Sequence, residues 1–350
     1  MKQDTKPAPF NVGDHVRYVG KRRVLSAGQG NAPELTLVSG MEGVILISTG
    51  LLADQGAAAS KPWHCRAQFH NGFQLDITPE NGADFEMAGV ADTVTLHYSE
   101  AGRGTSVVLL HGFPLSGAIW QAQQKQLAEQ YRVIVPDLRG HGKSPAPPGA
   151  YDMSLLARDV LAMLDSLQIK KAVIMGHSMG GYVALAALRL APERFLALGL
   201  IASQAGADSD EARQGRYRIA EKVAAAGSNA MAEAMLPKLF APTLPAAAPI
   251  VEQVRQLILK TAPTGIIGAL QGLAIRPDAH ALLSNLTLPV LLLAGEQDQI
   301  IALEKPKALA SSLKTMATLT TIANAGHMPM LEQPDATTAA MRQFLSKLGA

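Results

Sequence analysis

The sequence predicts an α/β protein with a mostly parallel central sheet flanked by helices and a helical cap, preceded by a small all-β barrel. Three observations predict it. From about Phe85 onward, apolar runs of strand length alternate with segments of helical period, the pattern of a parallel sheet covered on both faces. Residues from about 208 to 276 break that alternation with consecutive helix-like segments, which places an inserted cap between two strands. The first 84 residues instead carry short β-type runs separated by Gly, Asn and Pro, with no helical period.

In the first segment the runs His15–Val19, Glu34–Val38, Gly43–Ser48, Arg66–Phe69 and Phe73–Ile77 read as the strands of a barrel or sandwich, and Ala53–Pro62 as a loop. In the second, Thr93–Tyr98 and Ser106–Leu110 read as strands, and Arg132–Val135 as a strand ended by Pro136. Ser154–Leu167 has apolar residues at helical spacing. Ala172–Met175 is a short buried strand, Tyr182–Leu190 a helix and Leu198–Ala202 a strand. The cap is carried by the apolar positions Met231, Met235, Leu236, Leu239, Phe240, Leu257, Ile258, Ile266 and Leu270. The sheet resumes with Pro289–Ala294 and Ala317–Ile322, and a helix near Ala336–Lys347 closes the chain. The expected organisation is therefore a barrel over 1–84 and an α/β domain over 85–350, with the cap at about 207–277.

Composition narrows the function. With 350 residues, 48% hydrophobic and 17% charged, the chain can bury a large core without staples. A formal net charge of +2 makes neither nucleic acid nor a membrane surface an expected partner. Cys65 is the only cysteine, so no disulfide can form within the chain and no thiol-based metal site is expected. That fits a reducing compartment, and the opening MKQDTKPAPF has no apolar segment of a secretory signal, so a cytoplasmic location is expected. No uninterrupted apolar run reaches the roughly 18 residues of a transmembrane helix.

The sharpest motif is Gly176-His177-Ser178-Met179-Gly180, set between a predicted strand and a predicted helix. A G-x-S-x-G turn in that context forces the serine into a strained conformation and holds its hydroxyl out at the carboxyl edge of the sheet. The glycines two before and two after the serine leave room where the chain crowds, and the following helix aims its N–H groups at the site. Ser178 is the candidate nucleophile. His177 reads as packing at the elbow, because adjacent residues in this turn cannot aim at each other. A serine needs a base, and His327 follows the last predicted strand in a loop that overlooks the elbow. Asp298, directly after the strand ending at Ala294, is the candidate acid that orients the imidazole, with Glu296 as its rival. Two N–H groups should form an oxyanion hole, those of Met179 and of Phe113 in His111-Gly112-Phe113-Pro114.

From about Phe85 to its end the chain resembles the α/β-hydrolase superfamily, through HGFP at 111–114, DLRGHGKS at 137–144, GHSMGG at 176–181, GEQD at 295–298 and AGH at 325–327. Within it the sequence is similar to the small esterase, enol-lactonase and cofactor-free perhydrolase branch. Ser178 separates it from the dehalogenase and epoxide-hydrolase branches, which use an aspartate nucleophile. The sequence shows no metal-ligand cluster and no dinucleotide fingerprint, so no metal and no cofactor are expected, and the resemblance implies structural roles for Arg139 and His141. Phe113, Trp120 and the helical insertion suit that branch, and a substrate pocket involving Trp120 and the apolar cap residues Met231, Met235 and Leu239 is expected. The expected reaction is hydrolysis of a small carboxylic ester or lactone through an acyl-enzyme. A histidine base must be neutral, so activity is expected to fall as pH drops through the ordinary imidazole range, around 6.5. Two other readings stand beside it: a small-ligand sensor on the same fold, and a hydrolase recruited to a protein or nucleic-acid partner by its barrel. The first segment resembles small SH3-like barrels, through Phe10-Asn11-Val12-Gly13-Asp14-His15-Val16-Arg17, Gly40-Met41-Glu42-Gly43-Val44 and Ala67-Gln68-Phe69-His70-Asn71-Gly72. That resemblance implies a protein partner or self-association. Lys21-Arg22-Arg23 reads as a solvated turn and not as a nucleic-acid contact.

Overall fold

The computed structural model describes residues 93–349 in full and, before them, the backbone of seven strands: β1 (His15–Tyr18), β2 (Arg23–Ser26), β3 (Glu34–Leu37), β4 (Glu42–Ser48), β5 (Cys65–Phe69), β6 (Gln74–Ile77) and β7 (Phe85–Met87). Five of these strands pair in the order β6-β5-β4-β1-β7, and β2 pairs with β3. All of these pairings are antiparallel. Because β7 pairs with β1, Phe85–Met87 stays with the first compact unit, Met1–Asp92, and the second unit is Thr93–Ala350. The SH3-like barrel expected over 1–84 otherwise lies outside the described residues.

The second unit is built on a seven-stranded sheet made of β8 (Tyr98–Ala101), β9 (Ser106–Leu110), β10 (Arg132–Pro136), β11 (Ala172–His177), β12 (Phe195–Ile201), β13 (Val290–Gly295) and β14 (Ala317–Ile322). Its order is β14-β13-β12-β11-β9-β10-β8, parallel throughout except for the edge strand β8, which runs antiparallel to β10. β9, β11 and β13 are near-continuous apolar runs buried along their length, as strands covered on both faces must be. Helix α1 (Gln121–Leu127) packs on α11 (Pro334–Ser346), and α2 (Met153–Ser166) packs on α3 (Met179–Leu190). Asp152 caps α2 by accepting from the N–H groups of Ser154 and Leu155.

Residues 93–97 do not form the predicted strand. The Val94 N–H donates to Asp159 Oδ1 at 2.9 Å, and the His97 N–H donates to Ser144 Oγ at 2.9 Å. Side chains therefore take donors that a ladder would use, and the strand begins only at Tyr98.

Between β12 and β13 the chain inserts the cap: α4 (Asp210–Ala226), α5 (Ser228–Leu239), α6 (Pro249–Lys260), α7 (Pro263–Ala274) and the short α8 (His280–Ser284). Proline opens α6 and α7 at a position where its missing N–H costs nothing. The base of the cap is stitched by Asp208, which binds Arg216 and accepts from Arg276 at 2.6 Å, while the Arg276 guanidinium lies 4.3 Å from the Tyr182 ring centre on α3. Among the described residues no single helix is long and apolar enough to cross a membrane.

The strand order fixes where a site can form. The chain lays β10 on one side of β9 and β11 on the other, so β9 and β11 diverge at their carboxyl ends, the place where open α/β sheets bind ligands. Gly176 on β11 stands level with Leu110 on β9. The loops that follow these strands carry Ser178 and Phe113.

Candidate active site

Ser178 leaves β11 with φ 48° and ψ −113°, a conformation that costs a non-glycine residue energy and persists only where surrounding structure enforces it. The enforcement is visible. A Cβ on Gly176 would stand 2.1 Å from the Gly180 carbonyl carbon, so the residues two before and two after Ser178 touch backbone to backbone. Helix α3 starts at Met179, immediately after the serine and earlier than the predicted Tyr182. The Ser178 carbonyl accepts from the Gly181 N–H at 2.9 Å and from Ser203 Oγ at 2.9 Å, which pins the turn from behind.

The loop after β9 faces the elbow: a Cβ on Gly112 would meet His177 Nδ1 at 2.4 Å and Ser178 Cβ at 3.2 Å. Among the described residues, no acceptor engages the N–H of Phe113 or of Met179.

The predicted base and acid meet. His327 Nδ1 donates to Asp298 Oδ2 at 2.9 Å, with the two side chains 2% and 0% exposed. The other carboxylate oxygen, Oδ1, accepts from the N–H groups of Ile300 at 2.8 Å and Ile301 at 2.9 Å, so the buried charge is fully paired. With the proton on Nδ1, Nε2 keeps its lone pair. No hydrogen bond joins Ser178 Oγ to His327 Nε2 in this structure; such contacts often tighten only around a bound substrate. What brings His327 to the elbow is the residue next to the serine. His177 Nε2 donates to the His327 carbonyl at 2.8 Å, and the two rings lie 4.9 Å apart. His177 is fully buried, and burial together with the neighbouring His327 holds its pKa well below the ordinary value. It stays a neutral brace, as its place in the turn suggested. Glu296 faces elsewhere, accepting weakly from the Asn324 N–H at 3.4 Å.

A second pair of buried histidines supports the loop after β9. His111 accepts from the Leu138 N–H at Nε2 (2.9 Å) and donates from Nδ1 to the Gly112 carbonyl (2.9 Å). His141 donates from Nδ1 to the Arg139 carbonyl at 2.8 Å, and its ring lies 5.2 Å from that of His111. Burial lowers both, and His141 falls to about 3 with help from His111. Arg139 is locked in a two-bonded ion pair with Asp159, at 2.8 Å each, with almost no exposure of either side chain. Arg139 and His141 are structural in this geometry.

The residues predicted to line a pocket are placed unevenly. Trp120 is fully buried behind the elbow, its ring edge-on to His177 at 6.5 Å, and its indole N–H has no partner. Met231 and Leu239 are buried in α5 and Met235 is half-buried. The Leu239 carbonyl accepts the His327 N–H at 3.0 Å, so the end of α5 reaches the histidine loop itself. Sequence reasoning missed Glu332, which accepts from the Gly326 and Met328 N–H groups on either side of His327. It also missed Asp137, which holds Gly117, Lys143 and His97 together. Among the described residues, no group of three or more His, Cys, Asp or Glu side chains is placed to hold a metal ion.

A model of the alpha/beta hydrolase fold family matches residues 105–334. The chain is an α/β-hydrolase. Across this hydrolase, 30% identity over 266 residues links it to 3-oxoadipate enol-lactonase 2 of Acinetobacter baylyi, covering 75% of this chain and 97% of that protein. It is 34% identical over 291 residues to the dihydrolipoyllysine-residue acetyltransferase component of the acetoin cleaving system of Pseudomonas putida, covering 79% of this chain and 74% of that protein. Among solved structures, a thermophilic esterase from Thermogutta terrifontis superposes with a TM-score of 0.72 at 39% identity, over 73% of this hydrolase and 95% of that chain.

Proposed function

We propose that the hydrolase cleaves small carboxylic esters or lactones through an acyl-enzyme on Ser178. The observation that carries this reading is the buried His327–Asp298 hydrogen bond at 2.9 Å beside a serine held at φ 48°. His327 Nε2 takes the Ser178 proton as Oγ attacks the ester carbonyl carbon. The Phe113 and Met179 N–H groups receive the oxyanion, a contribution of about 3–4 kcal/mol per donor. The carbonyl re-forms, the ester C–O bond breaks, and the imidazolium returns the proton to the leaving alcohol. Water then repeats the sequence, with His327 taking its proton and returning it to Ser178, and the acid departs. The esterase and enol-lactonase relatives support this substrate class. Burst kinetics with para-nitrophenyl acetate test it: one equivalent of nitrophenol released ahead of the steady state, and lost in Ser178→Ala, is expected. Tight ligand binding without any release, burst or steady, would favour the sensor reading instead.

A second acceptor is favoured by the acetyltransferase relative. In that variant a thiol attacks the same acyl-enzyme, with His327 taking the thiol proton, and a thioester leaves. Adding dihydrolipoamide to the burst assay separates the two, since hydrolysis yields only the acid and transfer yields the thioester.

A further inference from the structure

The cap is tied to the loops that carry the proposed acid and base. Its strap, residues 239–243 at the end of α5, is hydrogen-bonded to both loops that carry the His327–Asp298 pair. On the acid side, Gln299 Nε2 donates to the Phe240 carbonyl at 3.0 Å and Thr243 Oγ1 donates to Gln297 Oε1 at 3.1 Å. On the base side, the Leu239 carbonyl accepts the His327 N–H at 3.0 Å. The strap lies so close to the histidine loop that a Cβ on Gly326 would stand 2.3 Å from the Ala241 nitrogen.

Glu332 sits where these contacts meet, as the last residue of the short helix α10 (Pro329–Glu332). Its Oε1 accepts from the Gly326 N–H at 2.9 Å and the Met328 N–H at 3.1 Å, the two amides that flank His327. Its Oε2 accepts from the Ala241 N–H of the strap at 2.7 Å. We propose that Glu332 is a positioning residue for the base: one carboxylate fastens the backbone on both sides of His327 to the cap strap and so sets the imidazole's place between Asp298 and Ser178.

The chemistry of the three partners explains why a carboxylate is needed. All three are N–H donors, and only a group that accepts at both oxygens satisfies them at once. Burial pushes the Glu332 carboxyl up, with nearby Asp298 adding to the rise, while the Ala241, Gly326 and Met328 amides pull it down. A glutamine has the same shape but must turn its NH2 either toward Ala241 or toward Gly326 and Met328. Either way an N–H faces an N–H, and the strap or the loop lets go. A displacement of about 1 Å at the reacting centre can cost on the order of 100-fold in rate.

The proposal rests on His327 acting as the base, and its test separates the two claims. Glu332→Gln and Glu332→Asp would be compared with the unaltered chain by para-nitrophenyl acetate kinetics and by the Nδ1–H proton resonance of His327 in protein labelled with ¹⁵N-histidine. In folded Glu332→Gln, kcat is expected to fall about 10- to 100-fold with KM little changed. The downfield Nδ1–H resonance should broaden or vanish. Glu332→Asp keeps the charge but is one methylene too short to hold loop and strap together, so an intermediate kcat is expected. A folded Glu332→Gln with unaltered kcat and an unaltered His327 resonance would overturn the proposal, as would a loss of thermal stability alone. If Glu332→Gln does not fold, Glu332→Asp decides: a shifted resonance and lowered kcat support the role, and unaltered values overturn it. Should the unaltered chain lack ester turnover, the esterase reading fails, while the resonance still reports whether Glu332 positions His327.

Discussion

Replacing Asp298 by asparagine gives a prediction whose direction the hydrogen bonds determine. The carboxylate accepts two backbone N–H groups at Oδ1, from Ile300 and Ile301, and one imidazole N–H at Oδ2. In Asp298→Asn one of these oxygens becomes an NH2. Placing it at Oδ1 would set it against two N–H donors and forfeit two hydrogen bonds, each about 1 kcal/mol net. The amide therefore keeps its oxygen toward Ile300 and Ile301 and turns its NH2 toward His327. The imidazole must then present a bare Nδ1 and carry its proton on Nε2, the atom that has to receive the Ser178 proton. The fold survives and the base is blocked. In serine proteases this wrong-tautomer substitution lowers kcat about ten-thousand-fold, equal to about 5 kcal/mol of barrier. A loss of at least about a thousand-fold is expected here. The assay is para-nitrophenyl acetate turnover beside near-ultraviolet circular dichroism and a melting curve. A folded Asp298→Asn protein that loses less than about tenfold, some 1.4 kcal/mol, would refute the tautomer argument and with it the role of Asp298.

Other predictions follow from buried groups. His141 is held at about 3, below its ordinary 6.5, so the unfolded chain takes up that proton first. The stability it contributes is complete above about pH 6.5 and is lost as pH falls toward about 3; at about pH 5 the loss is about 2 kcal/mol. Lowered His111 and His177 act in the same direction. Urea midpoints that do not drop between about pH 7 and about pH 5 would contradict this. Arg139→Met leaves the Asp159 carboxylate buried beside the Val94 N–H and is expected to cost about 3–5 kcal/mol by the same titration. Gly326→Ala drives a methyl into the strap backbone, 2.4 Å from the Phe240 carbonyl carbon, so both kcat and melting temperature should fall; an active, equally stable variant would show that the strap yields freely. Removing residues 1–92, the whole first unit, should leave ester turnover intact and abolish any self-association, read by light scattering.

The sequence was most legible where chemistry and local structure coincide. The bounds of β9 and β14 are those read from the sequence, and the elbow, the acid loop and the histidine loop each follow a predicted strand. The helix predicted from Tyr182 begins three residues earlier, at Met179, across Gly180 and Gly181; a Cβ on Gly180 would strike the Leu110 carbonyl oxygen at 2.5 Å, so glycine is what lets the helix begin there. The residues 93–97 have strand composition, yet their donors go to Asp159 and Ser144, partners far along the chain that no local pattern reveals. Glu332 was invisible for a related reason. Its partners are backbone amides, which have no residue identity to read, and two of its three bonds belong to a loop whose path only the folded cap defines.

The most direct test of the central claim is labelling with a fluorophosphonate probe followed by peptide mass spectrometry, on the unaltered chain and on His327→Ala. The account predicts a phosphonylated peptide carrying Ser178 in the first and almost none in the second. A folded, unaltered chain that does not label, or one that labels equally well without His327, would contradict it.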